Sequence, residues 1–113
     1  MPEPYTILLT ERAETHLRAL TSYARRMIID SLEIHLSHQP THGSRRVKEM
    51  RPNPVAGWEL RLADYRVLYD VDDQRRVVQV QVIGEKVGNR LIVQGEEYSA
   101  HESDRPERGE GES

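Results

Sequence analysis

The chain contains no cysteine, so disulfides, thiolate metal sites and cysteine nucleophiles are excluded and the core must hold by packing alone. No apolar run approaches the roughly 18 residues that a membrane-spanning helix needs. The start, Met1-Pro2-Glu3-Pro4, has neither the basic flank nor the apolar centre of a signal peptide, and a cytoplasmic location is the expectation. Also missing are a glycine-rich phosphate loop, a G-x-S-x-G elbow and a workable Ser/His/Asp order, which sets hydrolases of those kinds aside. His35, His38 and His42 are spaced by three and four residues, but the last two fall in loop sequence and no carboxylate stands at a matching helical position. Surface histidines near a helix end, where the macrodipole favours a cation, account for them better. No metal and no cofactor is expected.

What is present is 113 residues, enough for one small domain. The formal net charge of −3 is unevenly distributed. Residues 100–113 hold five acids and two bases, which leaves fourteen of each sign for residues 1–99. The acidic tail has no large apolar side chain to offset the entropy of ordering, so disorder is expected there, beside a folded domain over 1–99. A neutral body can still carry a basic face if its charges are sorted by side.

Tyr5-Thr6-Ile7-Leu8-Leu9 has strand character, and Thr10 has that of a helix N-cap followed by Glu11 and Glu14 in the first turn. Ala13, Leu17 and Leu20 form one apolar stripe; after a break at Thr21-Ser22, Ala24, Ile28, Leu32 and Leu36 form another. Pro40 and Gly43 end the second helix. Arg45 to Pro54 is basic, and its two prolines forbid a regular helix. Strict alternation then begins, with Trp58, Leu60 and Leu62 on one face and Glu59 and Arg61 on the other. Tyr65, Val67, Tyr69 and Val71 oppose Arg66, Leu68 and Asp70 on the next strand. Val78, Val80 and Val82 oppose Gln79 and Gln81 on the third. Turns at Asp64 and at Asp72 to Arg75 join these strands. The expected fold is α+β, ordered β-α-α-β-β-β, an antiparallel meander with both N-terminal helices packed on one face and the other face partly open.

On the open face lie Glu59, Arg61, Arg66, Gln79 and Gln81, with Lys86 just beyond the last strand and the basic run Arg45 to Arg51 leading in. Cations gathered on one sheet face repel unless an anionic partner is expected, so Arg61, Arg66 and Lys86 are candidates for a phosphate platform. The alternative is a solvated sheet face in which Glu59 and Asp70 pair with those cations. Trp58 can stack on a base, but its parity with Leu60 and Leu62 assigns it to the core. Gly84, Gly88 and Gly95 punctuate the end of the sheet.

The run Trp58-Glu59-Leu60-Arg61-Leu62-Ala63-Asp64-Tyr65-Arg66-Val67-Leu68-Tyr69, with Val80 to Gly84 after it, resembles the RelE/ParE superfamily of toxins from type II toxin–antitoxin systems. The similarity runs from Tyr5 to about Tyr98. It implies a microbial-ribonuclease-like fold and neutralisation by a cognate antitoxin that wraps the toxin surface. Operator DNA would be bound only through the antitoxin complex. For RelE-like members it implies ribosome-dependent cleavage of mRNA, by attack of a ribose 2′-OH on the adjacent phosphate and without a metal. In that scheme Arg66 matches the arginine that holds the scissile phosphate, Arg61 a basic position on the preceding strand, and Lys86 a further cation. Glu59 stands where those ribonucleases often carry lysine and is a candidate general base, as is Glu49. The C-terminal tyrosine or histidine that assists chemistry there is replaced by Leu91-Ile92-Val93, unless Tyr98 folds back. Two other functions fit the resemblance: a non-enzymatic inhibitor of DNA gyrase, and an inactive member that only binds its antitoxin.

Overall fold

A computed structural model describes residues 3–98, arranged as two helices and a seven-stranded sheet. The acidic segment 100–113, expected to be disordered, lies outside the described residues. The chain begins with strand β1 (Thr6–Leu9), then helices α1 (Glu11–Arg18) and α2 (Ser22–Leu36). Strands β2 (Val47–Glu49), β3 (Trp58–Leu62), β4 (Tyr65–Asp72), β5 (Val77–Val87), β6 (Arg90–Val93) and β7 (Glu96–Tyr98) follow. The last six lie in chain order across an antiparallel sheet, and β1 pairs with β5 in parallel.

Both helices start as their sequence requires. The Thr10 hydroxyl accepts from Ala13 N–H at 3.0 Å and the Thr21 hydroxyl from Ala24 N–H at 3.1 Å, each satisfying one backbone donor that the first turn leaves free. Ala13 and Leu17 of α1 and Ala24, Ile28, Leu32 and Leu36 of α2 are buried. The stripe is completed by Leu60, Leu62, Val67, Tyr69, Val78 and Val80 from the sheet, so the helical layer covers one face as the periodicity predicts. Trp58 and Tyr65 pack at the rim of this core.

The edge of β5 has a gap in its pairing, and α1 fills it. β1 pairs with β5 as far as Val80, and the pairing of β5 with β6 begins at Glu85. Between them, Thr10 N–H donates to the Val80 carbonyl at 3.0 Å, Arg12 Nε to the Gln81 carbonyl at 3.3 Å, and Ile83 N–H to Nδ1 of His16 at 3.2 Å. His16 is a buried polar residue whose neutral imidazole is needed as an acceptor. Burial, with Arg12 adding to it, holds its pKa below the ordinary value; burial and the nearby Arg46 do the same to His35. A depressed histidine pKa favours the folded state fully above the unfolded value of about 6.5, and that contribution is lost as pH falls from there through the folded pKa. The melting temperature should therefore decline on acidification below about pH 6.5. His16→Gln, which keeps an acceptor without a proton to gain, should flatten part of that decline in melting curves between neutral and mildly acidic pH.

Two expectations about the sheet need correction. The segment Arg45 to Pro54 is not wholly irregular: Val47 is buried against Leu60 and opens the edge strand β2. The Ser44 hydroxyl accepts from the N–H groups of Arg46 and Val47, both at 3.2 Å, and turns the chain into it. Secondly, Val78, Val80 and Val82 do not share a face. A bulge leaves Gln81 unpaired between Tyr69↔Val80 and Leu68↔Val82, so Val82 is on the far side with Leu68, and Ile83 takes the helix-facing place opposite Val67.

The far face is consequently less open than its alternation suggests. Leu68 and Val82 are buried there with Val93 of β6 and Ala56 of the loop before β3, and Met50, Val55, Leu91 and Tyr98 pack around them. Gly84 allows the C-terminal hairpin to close over this face. A Cβ at that position would come within 2.7 Å of the Ile92 carbonyl oxygen and 2.8 Å of Val93 Cγ2. Backbone on one side and a packed side chain on the other leave nowhere to yield, so Gly84→Ala should cost about 1–3 kcal/mol in urea unfolding and loosen β6 first.

Candidate functional site

The β3–β4 hairpin places the two central arginines. Its register pairs Arg61 directly with Arg66, Glu59 with Leu68 and Leu62 with Tyr65, so Arg61 and Arg66 are cross-strand neighbours on the face away from the helices. Such pairs have Cβ atoms about 5 Å apart, close enough for two like charges to destabilise the strand pair in the absence of an anion. Glu59, two residues before Arg61, shares that face and lies opposite Lys48 on β2. Lys86 belongs to it by alternation, two residues after Gly84, the partner of Arg66. Its own N–H donates to the Asp64 carbonyl at 2.6 Å, which ties the end of β5 to the hairpin turn. The four candidates thus share one face.

Their side chains are differently engaged. Arg61 is exposed, and its Nε donates to the Glu59 carboxylate at 3.0 Å. Arg66 is half-buried, with Nη1 donating to the carbonyls of Ala63 and Tyr65, both at 2.8 Å. Ala63 holds a left-handed φ of 54°, a conformation that turns the tight loop and brings these oxygens into reach. The remaining guanidinium edge of Arg66 has no acceptor among the described residues. Lys86 is exposed and has no ion-pair partner among them.

Asp70 does not serve as a counterion for the cations. Its Oδ1 accepts from Gly57 N–H at 2.8 Å and its Oδ2 from Gln81 Nε2 at 3.3 Å, fixing the end of the loop that precedes β3. Within that loop Asn53 Oδ1 accepts from the N–H groups of Val55 and Ala56, and Nδ2 donates to the carbonyls of Arg51 and Ala56. The prolines at 52 and 54 remove backbone donors, and the asparagine side chain supplies the turn geometry that a ladder cannot.

Sequence reasoning left the basic edge unresolved. Arg45, Arg46 and Arg61 line one depression at the β2 edge; Lys48, Arg51, Glu59 and Arg61 line the next. Arg61 borders both and joins the edge to the hairpin. The signal was present as the short alternation Arg46-Val47-Lys48, with its apolar member directed at the core. Tyr98 is also nearer than expected: the segment folds back as β7, pairs Tyr98 with Leu91 and places it in the apolar cluster beside Leu68 and Val82. Its hydroxyl is buried without a hydrogen-bond partner among the described residues. No group of three or more His, Cys, Asp or Glu there is arranged to hold a metal ion, and no helix there is long and apolar enough to cross a membrane.

Comparison with known proteins agrees with this architecture. Residues 7–86 match the family model described as the ParE toxin of the type II toxin–antitoxin system parDE. Among solved structures, the chain is similar to one from the RelBE2 toxin–antitoxin complex of Mycobacterium tuberculosis, with 24% identity and a TM-score of 0.66 over 76% of this chain and 95% of that one. It is also similar to one from the archaeal RelE–RelB complex of Pyrococcus horikoshii, with 21% identity and a TM-score of 0.59 over 74% and 96%. The isolated Escherichia coli RelE toxin gives 26% identity and a TM-score of 0.58 over 74% and 85%. No curated protein matches the sequence.

Proposed function

The chain belongs to the ParE toxin family of type II toxin–antitoxin systems, and from that premise we propose that it arrests growth by cleaving mRNA on the ribosome, in a cytoplasm it shares with a cognate antitoxin. The observation that carries this reading is the direct pairing of Arg61 with Arg66 on a face bordered by Lys48 and Lys86. Adjacent guanidinium groups with unused donor edges suit a phosphodiester, whose non-bridging oxygens each accept from a fork of N–H groups. In such a reaction the 2′-oxygen bonds to phosphorus as the P–O5′ bond breaks, leaving a 2′,3′-cyclic phosphate and a 5′-oxygen that takes a proton from water, and the protein need only hold the 2′-OH in line and stabilise charge developing on the phosphoryl oxygens. Arg66 is positioned for the second task because two turn carbonyls already fix its guanidinium. Arg61 adds charge and holds one oxygen of Glu59, Lys86 supplies a third cation, and the other Glu59 carboxylate oxygen, which has no partner among the described residues, would take the 2′-OH proton. The toxin domain occupies residues 1–99 in this scheme, with 100–113 an acidic appendage. The antitoxin would cover the basic face, and its complex with the toxin, not the toxin alone, would contact operator DNA.

A second reading, non-enzymatic inhibition of DNA gyrase, is favoured by two features of the same face: Glu59 is held by Arg61, and Leu91 and Val93 of the C-terminal hairpin pack over Gly84, the partner of Arg66. The deciding experiment incubates the purified chain with ribosomes and message, maps new 5′ ends by primer extension, and measures gyrase supercoiling in parallel. Ribosome-dependent ends with normal supercoiling are expected. Intact message with supercoiling blocked at stoichiometric toxin would replace the first reading by the second. Growth without arrest after induction, and with neither activity, would leave only antitoxin binding.

A further inference from the structure

The cations of the far face and of the adjoining β2 edge outnumber the anions that answer them. Among the described residues Arg61 has a partner in Glu59, whereas Arg45, Arg46, Lys48, Arg51 and Lys86 have no ion pair. The anionic excess of the chain lies elsewhere, in the fourteen residues from Ala100 onward: Glu102, Asp104, Glu107, Glu110 and Glu112 against Arg105 and Arg108. These acids recur every two or three residues, a spacing of about 7–10 Å along an extended chain. A strip of that kind is a peptide counterpart of a nucleic-acid backbone.

The last described residue leaves this face within reach of the strip. Tyr98, the last described residue, lies in the apolar cluster on the same face as Arg61 and Arg66. From β7 to β3 the sheet order counts four strand spacings, about 19 Å at about 4.8 Å each. The fifteen residues after Tyr98 can span up to about 50 Å. We propose that the acidic segment 101–113 docks on the basic face of its own chain, along Lys86, Arg61 and the Arg45–Arg51 edge, and so competes with the polyanionic ligand. Tethering gives it an effective concentration in the millimolar range, enough for a weak electrostatic contact to matter. The competition with RNA rests on the functional reading above; the docking itself needs only the charges and the reach.

The test exploits the single tryptophan and the absence of cysteine. Trp58 borders the depression lined by Arg51, so Ser113→Cys labelled with an acceptor dye forms one donor–acceptor pair in the full chain. Energy transfer should be high at about 50 mM salt and collapse near 1 M, where the Debye length shrinks to about 3 Å. It should be low at both in a chain that also carries Glu102→Gln, Asp104→Asn, Glu107→Gln, Glu110→Gln and Glu112→Gln. Transfer indifferent to salt and to tail charge overturns the proposal, as does transfer that vanishes on dilution, which would mean docking between copies. In the second arm a fluorescent single-stranded RNA oligonucleotide should bind the neutral-tail variant about fivefold more tightly than the parent at low salt. RNA bound by neither chain, with transfer still responsive, would remove the nucleic-acid reading and keep the docking. RNA bound equally by both, with transfer unresponsive, would do the reverse.

Discussion

Arg66→Ala is expected to slow ribosome-dependent cleavage by on the order of 10²- to 10³-fold, the usual consequence of deleting one donor that stabilises an oxyanion. The size follows from preorganisation. Arg66 is gripped by the carbonyls of Ala63 and Tyr65, so its free edge requires no reordering when charge develops on the phosphate. Arg66→Lys should recover little, because an ammonium cannot hold the turn and present a planar fork at once. Arg61→Ala should have a smaller effect, about tenfold, and act mainly on binding, since part of that guanidinium is already occupied by Glu59. The loss in Arg66→Ala must not come from unfolding. Its hydrogen bonds are to carbonyls of a surface turn that water can reach, so urea unfolding should show a change of no more than about 1.5 kcal/mol. Single-turnover cleavage measured beside that unfolding curve separates the two contributions. An unchanged rate, with growth arrest undiminished in cells, would remove the phosphate-binding role from this residue.

How far the sequence announced this arrangement varies with the length of each element. α2 shows four buried residues at intervals of four, and the strands from Trp58 to Leu62 and Tyr65 to Asp72 are long enough for alternation to be unambiguous. The faces of Arg61 and Arg66 were therefore legible, and their pairing followed from the tight turn at Asp64. Three-residue β2 and β7 carry too few positions to show a period, and the prolines at 52 and 54 beside β2 pointed to a loop. The bulge at Gln81 defeated parity in another way, because inserting one residue moves everything beyond it to the opposite face. With Val82 misplaced, Leu68 stood as a lone apolar residue on a polar face, and the small core that it builds with Val93 and Ala56 was hidden. His16 was hidden because its role depends on a break in the pairing of β5, a property of tertiary structure with no local trace.

Tyr69→Ala should be the most damaging single change in the core, lowering stability by about 3–5 kcal/mol, against a typical total of about 5–15 for a small domain. Tyr69 is the largest of the fully buried side chains, lies between the helical layer and the centre of the sheet, and donates its hydroxyl to the carbonyl of Pro40 in the loop that ends α2. Burial holds that hydroxyl above its ordinary pKa, so it remains a neutral donor throughout the physiological range. Tyr69→Phe separates the two contributions. The ring stays, the hydroxyl goes, and the Pro40 carbonyl is left without its donor, at a cost of about 1–3 kcal/mol. The polar loss also bears on function, because the Pro40 loop runs directly into Ser44 and the turn that starts β2, and so fixes where Arg45, Arg46 and Lys48 stand relative to Arg61. In Tyr69→Phe, hydrogen exchange should quicken at Val47 and Arg61 N–H, the latter a donor to the Arg46 carbonyl, while amides of α1 keep their protection. RNA affinity should weaken with every basic residue intact. If exchange instead rises uniformly across the sheet and affinity is unchanged, the tyrosine hydroxyl stabilises the core alone and the basic edge is held in place by β2 pairing without it.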